Sequence, residues 1–418
     1  MLPDLSARFP RYTEYEPAAP IYCVTPELDG CFHRFFDTSP ISPSGRYVGL
    51  TRLLAEDRMP EPGDPAQVVL VDLQTGEARV LCETCGWDTQ LGAQVQWGPS
   101  DEQLFFNDMD TGAWRPYGVL MNPLTGERRE LQGTVYMVSP DGTRIASPCL
   151  LRTGSTQAGY GVIVPEEVVP VNEGAPDDDG LYVTDVASGE CRLLVSMRQI
   201  ADRAEPHVGA EPFSGGDFYG FHVKWNPQGT RIMFVLRRCR PDVPRGMLHD
   251  LLSISADGSE VHITIPASEW SGKGGHHPNW CPDGERAMMN LKLDGQTMRF
   301  VQARYDGTGY RVLNETLLGS GHPSMHPDGR HLVTDNYPQE PLAFGDGTVP
   351  IRLCELQTGE DLYLCRIQTV PPYSGGNKEL RVDPHPVWDH SFTRVAFNAC
   401  PDGTRRLYIA DLAGLLGR

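Results

Sequence analysis

The chain of 418 residues lacks any apolar run of the roughly 18–20 residues that a membrane-spanning helix requires. Its start, MLPDLSARFPRYTEYEP, also lacks the charged-then-apolar order of a secretion signal. Basic residues are scarce, 36 against 55 acidic ones, so the formal net charge is −19. Nucleic-acid binding needs a basic face, so the shortage of basic residues predicts that the protein does not bind nucleic acid. The missing apolar run and the missing secretion signal predict a cytoplasmic protein that does not bind a membrane.

Cysteine is present in an odd number, 11, scattered along the chain. This pattern fits reduced, buried thiols better than a disulfide framework. Only Cys82 and Cys85, in CETC, have the spacing of metal ligands, and no second pair matches them. A zinc site at this pair is therefore the weaker interpretation, and structural thiols are the stronger one.

A repeated turn organises what is present. Its form is an aromatic or apolar residue followed by x-Pro-x-Gly or a worn version of it. Seven copies occur: ISPSG at 41, WGPSD at 97, VSPDG at 138, WNPQG at 225, WCPDG at 280, MHPDG at 325 and WDHSF at 388. Proline fixes φ and glycine permits positive φ, so each copy predicts a tight turn between strands.

A second kind of turn, Thr-Gly-Glu or a relative, alternates with the first. It joins stretches in which apolar residues recur with period two: VVLVDLQTGEARVL, GVLMNPLTGERREL, LYVTDVASGECRLL, LLSISADGSEVHIT, VQARYDGTGYRVL, IRLCELQTGEDLYL and LYIADLAGLL. Period-two patterning marks half-buried antiparallel strands. Each pair of turns thus predicts one four-stranded sheet.

The spacing of the first turn predicts the architecture. Its intervals are 56, 41, 87, 55, 45 and 63 residues, which fit the ~40–50 residues of a propeller blade once insertions are allowed. We therefore expect an all-β fold: a single domain, residues 1–418, forming a seven-bladed β-propeller of four-stranded antiparallel blades. The last blade runs out of residues after its third strand, so we expect the segment near APIYCVTPE to supply its outer strand.

Two insertions interrupt the repeat around the third blade, at about 150–179 and about 196–221. Long excursions in a compact repeat are usually functional or disordered. In a propeller, both connections would lie on the face opposite the tight turns. We expect a site on that face.

Histidine recurs at one position of the repeat. Counting back three residues from the first residue of each turn gives Thr38, Gln94, Val135, His222, His277, His322 and His385. This position begins the inner strand of each blade, next to the central channel of a propeller. We therefore expect four imidazoles to converge around the mouth of that channel, on the face that carries the insertions. A His-Pro pair can simply begin a strand, but four in register favour neutral metal ligands or acid–base groups, since clustered imidazoles repel when protonated.

The ends of the returning strands predict a polar, partly cationic rim on the same face. It includes Arg52, Asn107, Arg237, Arg238 and Tyr337. Guanidinium groups pair with carboxylates in a bidentate way, so the rim favours an anionic small substrate or oligomer. For any single arginine, an ordinary salt bridge between blades is the competing interpretation.

Four stretches of the chain resemble blades of oligogalacturonate lyases and, more loosely, of the propeller-type ulvan lyases. They are GFHVKWNPQGTRIMFVLRR, GGHHPNWCPDGE, GSGHPSMHPDGRHLVTD and RVDPHPVWDHSFTRVAFNA. The similarity is clearest over 215–400. TolB-like propellers share the Pro-Asp-Gly turns, so the histidine in each of the last four blades is the more specific signal.

The resemblance implies a divalent metal, with manganese expected first and calcium or zinc as alternatives. It implies that His277, His322 and His385 are ligands. In the family, a further histidine stands at the position of Asp383 and a glutamine at that of Leu380. Asp383 could serve as a hard oxygen ligand in place of the imidazole, whereas leucine cannot replace the amide.

The resemblance also implies β-elimination at a uronate residue of an anionic oligosaccharide. Neutralising the carboxylate makes the C5 proton removable, and a second group protonates the departing O4. His222 is the expected base and Tyr160 the expected acid, although Tyr160 could instead be a lid that stacks on sugar. Arg237 and Arg203 are further catalytic candidates, and Gln94, Arg52, Asn107, Arg238 and Tyr337 are candidates for substrate binding.

Two functions of other classes stay open from sequence. One is a non-catalytic TolB-like propeller that binds a glycan or a protein and needs no clustered imidazoles. The other is a glycoside hydrolase, which needs two carboxylates roughly 5–10 Å apart. Asp108, Asp335 and Asp383 cannot be paired from sequence alone.

Overall fold

The computed structural model describes residues 2–209, 212–243 and 246–417. The prediction of an all-β, seven-bladed propeller is confirmed: the described strands form seven four-stranded antiparallel sheets. Met1 and Arg418, the ends of the predicted domain, and Ala210 and Glu211, within the second predicted insertion, lie outside the described residues. Among the residues that are described, no helix is both long enough and apolar enough to cross a membrane.

The first three blades follow the alternation of the two turns. Their strands are β2 (Cys31–Phe32), β3 (Tyr47–Leu53), β4 (Ala66–Asp72) and β5 (Ala78–Thr84) in blade 1; β6 (Gln96–Trp97), β7 (Leu104–Asp110), β8 (Arg115–Met121) and β9 (Arg128–Leu131) in blade 2; and β10 (Met137–Val138), β11 (Arg144–Ser147), β12 (Gly180–Asp185) and β13 (Cys191–Ser196) in blade 3.

The other four blades contain the histidines of the repeat. Their strands are β14 (Asp217–Trp225), β15 (Arg231–Cys239), β16 (Met247–Ser255) and β17 (Val261–Ile265) in blade 4; β18 (Gly275–Trp280), β19 (Arg286–Leu291), β20 (Arg299–Arg304) and β21 (Arg311–Val312) in blade 5; β22 (Ser324–Met325), β23 (His331–Thr334), β24 (Thr348–Glu355) and β25 (Glu360–Gln368) in blade 6; and β26 (Val387–Trp388), β27 (Arg394–Ala399), β28 (Arg406–Asp411) and β1 (Ile21–Cys23) in blade 7.

The outer strand of blade 7 comes from the N-terminal segment. Strand β1 pairs antiparallel with β28, with Ile21 opposite Ala410 and Cys23 opposite Tyr408. Buried side chains of the N-terminal segment, among them Leu5, Phe9 and Val24, pack into one core with β3, β4, β27 and β28. This pairing removes an open sheet edge, which would otherwise expose unpaired backbone groups.

The aromatic residue of the repeated turn has a structural task. The indole of Trp97 donates to the carbonyl of Pro40, that of Trp280 to Lys224 and that of Trp388 to Ser324. Lys224 and Ser324 belong to the inner strands of the preceding blades, and Pro40 lies in the segment that follows the inner strand of blade 1. The tryptophans therefore tie neighbouring blades together while burying their rings, as an amphipathic aromatic residue does well.

Helices occur mainly in the connections between blades. The described α-helices are α1 (Leu150–Thr156), between β11 and β12; α2 (Met197–Arg203), between β13 and β14; and α3 (Trp270–Lys273), before β18. The connection from β13 to β14 covers 197–216, because β14 already begins at Asp217. Residues 217–221, counted above in the second insertion, are therefore part of a core strand.

The chain comprises two compact units. The first contains Met1–Arg115, Val119–Arg129 and Ser320–Arg418, and the second contains Pro116–Gly118 and Glu130–Gly319. The first unit thus holds blades 1, 6 and 7 and most of blade 2. The second holds blades 3, 4 and 5. Each unit contains one cluster of candidate functional residues.

Candidate active site and metal centre

The repeated position of the histidines has an unusual backbone. Gln94, His277 and His385 have φ of +58°, +58° and +50°, a left-handed conformation that non-glycine residues rarely adopt. In blade 4, His222 lies within a register shift between Gly220 and Val223, and in blade 5 His277 lies within a similar shift. Strained backbone and bulges re-aim side chains and concentrate at functional sites, which favours a functional interpretation of this position.

In the first unit, three potential metal ligands lie together. The ligand atoms of His322, Asp383 and His385 are all within 4.8 Å of one another, and all three residues are buried. The two imidazole rings are nearly perpendicular, with centroids 4.3 Å apart. We call His33, His322, Asp335, Asp383 and His385 the imidazole cluster.

His322 is held in the orientation of a metal ligand. Its Nδ1 lies 2.9 Å and 3.0 Å from the two carboxylate oxygens of Asp335, and one of these, Oδ1, also accepts from the His322 backbone N–H. A carboxylate on Nδ1 places the proton there and leaves the lone pair on Nε2, an arrangement common around protein-bound metals. The hydroxyl of Tyr337 lies 3.4 Å from that Nε2.

The rings of His33 and His385 are buried, at 2% and 1% exposed. None of their four ring nitrogens makes a hydrogen bond of good geometry with the described residues, although the backbone carbonyls of Pro384 and His385 interact with the His33 ring and that of Arg34 with the His385 ring. Burial lowers the pKa of His33 to about 3 and also holds that of His385 well below its ordinary value. Both rings are therefore neutral at physiological pH, which is the form that binds metal.

The donor set of the imidazole cluster fits a divalent metal. Neutral imidazoles suit zinc, and the Asp383 carboxylate adds a hard oxygen, the kind of donor that suits manganese. That carboxylate accepts from Arg381 Nε at 2.8 Å, which leaves other lone pairs for an ion. Leu380, by contrast, is apolar and buried, so it supplies no ligand at the position where the resemblance expects an amide. The buried ring nitrogens of His385, which make no hydrogen bond of good geometry among the described residues, are the feature of this structure that a bound ion would explain.

A buried arginine follows His33. Arg34 donates from Nε to Gln94 Oε1 at 2.8 Å and from Nη1 to Asp37 at 2.7 Å. The amide nitrogen of Gln94 is buried without a partner among the described residues. Gln94, predicted to bind substrate, therefore presents an unused donor next to a guanidinium.

The second unit contains an acid–base cluster formed by Tyr136, Tyr160, Phe221, His222 and Arg237. The hydroxyl of Tyr136 and Nδ1 of His222 form a short hydrogen bond. The rings of Tyr160 and His222 have centroids 5.9 Å apart, and Phe221 packs against both. The predicted base and acid are thus brought together by the fold.

Arg237 completes the acid–base cluster. Its guanidinium lies over the ring of Phe221 and donates to Gln157 Oε1 at 2.6 Å and to Thr156 at 3.2 Å. The hydrogen bonds given for it among the described residues go to Thr156 and Gln157 rather than to a carboxylate, and burial lowers its pKa to about 9. A buried cation without a counter-charge gains most from an anionic ligand.

The first insertion supplies Tyr160 and the two residues to which Arg237 donates. Its helix α1 carries Thr156 and is followed by Gln157 and Tyr160, and it packs against β14, which carries His222. Farther along, the Asn172 side chain donates to the carbonyl of Phe218, while its backbone N–H donates to the Tyr219 hydroxyl. The insertion is therefore anchored to blade 4 by buried hydrogen bonds.

His277 lies in the second unit, beside His276. Their Nδ1 atoms are 2.8 Å apart, and Asn290 approaches His276 at 3.1 Å. The two rings are only partly buried. Convergence of His222, His277, His322 and His385 on one channel stays a prediction, as does the role of His277 as a ligand.

The remaining predicted arginines lie outside both clusters. Arg52 bonds to Asp29 and Gln67. Arg203 ends α2 and donates to the carbonyls of Gly258 and Ser259. Arg238 forms a fully buried pair with Asp250. The catalytic role of Arg203 and the substrate-binding roles of Arg52 and Arg238 stay predictions.

Asn107 is also fully buried, in β7. Its carbonyl accepts from Thr84 and its N–H donates to Ala93. Its predicted role in substrate binding stays a prediction.

Two other groups of possible metal ligands are accounted for by protein contacts. His326 uses Nδ1 to accept from the Asp328 N–H and Nε2 to reach the Phe392 carbonyl, so its nitrogens in the His326–Asp328–His331 group are engaged. Burial raises the pKa of Cys82 to about 11 and that of Cys85 above its ordinary value. Among the described residues, neither cysteine belongs to a group of three or more potential ligands.

Sequence reasoning missed His33 and Tyr136. His33 stands five residues before Thr38, outside the repeated position, and Tyr136 stands one residue after Val135. The only sequence signal for His33 was its rarity, as one of 12 histidines, within the run HRFF. Tyr136 had none, since a tyrosine at a strand start is usually a packing residue.

No protein-family model matches this sequence, and no curated protein matches it at a significant level. Solved structures do share its fold. An oligogalacturonate lyase in complex with manganese superposes with a TM-score of 0.69 at 17% identity, covering 98% of this chain and 97% of that one. An oligogalacturonate lyase from Vibrio parahaemolyticus superposes with a TM-score of 0.65 at 16% identity, covering 96% of each chain.

Propellers of other function are also similar. The β-propeller domain of the Trilobed protease from Pyrococcus furiosus gives a TM-score of 0.52 at 12% identity, covering 92% of this chain and 96% of that one. At such identities the comparisons establish the fold rather than the reaction. The chain is a seven-bladed β-propeller with the fold of the oligogalacturonate lyases, as the resemblance of its late blades indicated.

Proposed function

We propose that this protein is a polysaccharide lyase that cleaves uronic-acid-containing oligosaccharides by β-elimination. The observation that carries the proposal is the acid–base cluster, in which a buried histidine, two tyrosines and a guanidinium without a carboxylate partner meet. Elimination needs a base, an acid and neutralisation of a carboxylate, and these side chains can supply all three. The fold shared with oligogalacturonate lyases supports the same class of reaction.

His222 is the proposed base. In the tautomer whose Nδ1–H donates to the Tyr136 oxygen, Nε2 carries the lone pair that can accept the C5 proton. The C5–H electrons form the C4–C5 double bond as the C4–O4 bond breaks. Tyr160 gives its phenolic proton to O4, so the products are an unsaturated uronate and a new sugar hydroxyl.

Cations stabilise the carboxylate next to C5 during proton removal. Arg237 is the proposed protein group for this task because no carboxylate among the described residues neutralises it. A divalent metal, manganese first, would be held by His322, Asp383 and His385. When bound, it would act as a Lewis acid towards the uronate. Gln94 and Tyr337 are proposed to hold the sugar.

The substrate class follows from the chemistry. Galacturonate oligomers, rhamnose–uronate chains of the ulvan type and glucuronate-containing glycans all present a carboxylate beside C5. The proposed location is the cytoplasm, as the odd number and scattered positions of the cysteines predict. In that location short oligomers rather than intact polymer would be the substrates.

The test is a screen of uronate oligosaccharides for the ultraviolet absorbance of the unsaturated product. Activity should disappear in chelator and return with manganese, calcium or zinc. The variants His222→Gln and Tyr160→Phe should lose activity, about 10²–10⁴-fold for the base. Tyr182→Phe is the matched control, because its hydroxyl bonds to the Asp178 carbonyl in the first insertion.

Two results would contradict the proposal. If no uronate gives an unsaturated product although glycans bind, the protein is a binding propeller of the TolB type. If the product forms but His222→Gln is as active as the native protein, the base lies elsewhere. A product without the double bond would indicate hydrolysis instead.

A further inference from the structure

We propose that Phe221, in β14, is the positioning residue of the acid–base cluster, and that its ring holds the guanidinium of Arg237 in place without neutralising it. The inference rests on the proposed function for the roles of Arg237, Tyr160 and His222, and it deepens that function by naming the residue that orients them. Phe221 itself neither gives nor takes a proton. It acts through the three side chains that contact its ring.

The first argument is the contact between the ring and the guanidinium. Cζ of Arg237 lies 3.2 Å from the centroid of the Phe221 ring. This distance is well inside the roughly 6 Å within which the negative face of an aromatic ring attracts a cation. Phe221 is 2% exposed and Arg237 is 7% exposed, so little water screens the attraction. A cation–π contact is strongest when both partners are desolvated in this way.

The second argument is that every partner of the guanidinium found so far is uncharged. Among the described residues, its hydrogen bonds go to Thr156 at 3.2 Å and to Gln157 at 2.6 Å. A carboxylate in this place would pair with the guanidinium in a bidentate way, and a uronate would have to displace it. An aromatic ring stabilises the cation while leaving its full positive charge. The charge of Arg237 is therefore kept for an anionic ligand.

The third argument is that the same ring contacts the proposed base and the proposed acid. The ring centroids of Phe221 and His222 are 4.0 Å apart with the planes tilted by 54°, and those of Phe221 and Tyr160 are 5.1 Å apart with a tilt of 60°. Tilted aromatic pairs are favoured over face-to-face stacking. Tyr160 and His222 are also in T-shaped contact, at 5.9 Å and 74°. The three rings therefore fix one another's orientation.

The fourth argument is the backbone of β14. Successive residues of a strand normally face opposite ways, yet the rings of Phe221 and His222 pack against each other. The pairing with β15 shifts its register between Gly220 and Val223, which allows both side chains to reach one cluster. Irregularities of this kind re-aim side chains beside active sites. The strand is thus shaped to place Phe221 next to the base.

The experiment changes the electrostatics of the ring while keeping its shape. Phe221 is replaced by pentafluorophenylalanine, whose fluorines draw electrons from the ring face and so remove its attraction for a cation. The full chain, supplied with Mn²⁺, is titrated by calorimetry with trigalacturonate and with a rhamnose–glucuronate tetramer of the ulvan type. We expect binding to weaken about 2- to 30-fold, the range that one cation–π contact gives. A singly fluorinated ring should give an intermediate value, and the rate of unsaturated-product formation should fall in the same order.

The matched control is the same replacement at Phe234. This phenylalanine is also fully buried in blade 4, on β15, and contacts no guanidinium among the described residues. Fluorination that merely disturbs a packed core would weaken binding at both positions, whereas a loss that acts through Arg237 appears only at Phe221. The variant Phe221→Leu removes the ring altogether and should bind at least as weakly as the pentafluorinated protein. Thermal unfolding checks that each variant is folded.

The outcomes separate this inference from the proposed function. Equal affinity in the pentafluorinated and native proteins, or equal losses at Phe221 and Phe234, would overturn the positioning role and leave the lyase proposal standing. Binding that depends on Phe221 in a protein that forms no unsaturated product would overturn the lyase proposal and leave the positioning role standing. A native chain that binds neither oligomer would overturn both.

Discussion

Removal of one hydroxyl, in Tyr136→Phe, tests the acid–base cluster most sharply. Tyr136 is 1% exposed and His222 is 7% exposed, so water does not readily replace the lost partner of Nδ1. Leaving a buried nitrogen unsatisfied costs about 1–3 kcal/mol. If this cost falls on the transition state, kcat drops about 5- to 150-fold. The drop should be smaller than that of His222→Gln, because the base itself remains.

The assay is the initial rate of unsaturated-uronate formation across pH. The Tyr136 oxygen, as acceptor from Nδ1–H, stabilises the protonated imidazole that forms when the C5 proton is taken. Its removal should therefore move the acidic limb of the rate profile to lower pH, a shift that a merely structural residue would not cause. Tyr182→Phe should leave both rate and limb unchanged. A Tyr136→Phe enzyme within twofold of the native rate and with an unmoved limb would refute the reasoning.

Three further predictions concern the imidazole cluster and the stability of the fold. Asp335→Asn removes the carboxylate that orients Nδ1 of His322, so metal affinity should fall about 10–100-fold in calorimetry, and an unchanged affinity would exclude His322 as a ligand. Asp250→Asn strips the fully buried Arg238 of its counter-charge, so the free energy of unfolding should fall by about 3–5 kcal/mol in urea titration; a loss below 1 kcal/mol would contradict the burial of the pair. The hydrogen bonds from Thr358, first, and then from Gln357 and Arg330 lower the pKa of Glu355 from 4.5 to about 2. The stability this adds is complete above pH 4.5 and is lost as pH falls towards 2, so Glu355→Gln should show a shallower acid loss of Tm, and parallel curves would count against it.

The architecture was predictable because it repeats. Proline and glycine in the turns and period-two patterning in the strands are local signals, and seven copies of each leave little choice of fold. The aromatic residue in the turn proved to be an anchor between blades, as Trp280 illustrates by donating to the carbonyl of Lys224. Such a contact joins residues more than fifty positions apart. The spacing of the turns therefore predicts where the tryptophan lies but not which carbonyl it binds.

The candidate site was predictable only where the repeat reaches it. His322 and His385 were named from their common position and lie together in the structure. Arg237 and Arg238 show the limit: they are neighbours on β15, and successive residues of a strand face opposite ways. Both were predicted from the sequence, whereas the structure places Arg237 over the ring of Phe221 and buries Arg238 against Asp250. Which of two successive residues faces the site depends on register shifts such as the one between Gly220 and Val223.

The places of His33 and Tyr136 beside the clusters could not be found from the sequence, because the residues they bond to are distant along the chain. His33 is 365 residues from the Asn398 amide that holds its backbone. Tyr136 is 86 residues from His222. Neither separation follows from the repeat, since the insertions change the spacing between blades.

The most direct measurement of the central claim is ultraviolet detection of elimination products from a panel of uronate oligosaccharides, made with native protein and with His222→Gln. The account predicts a rising absorbance with the native protein on at least one uronate, abolished by chelator, restored by manganese and reduced at least 100-fold by the substitution. Native protein that binds a uronate oligomer without ever producing the double bond would contradict it.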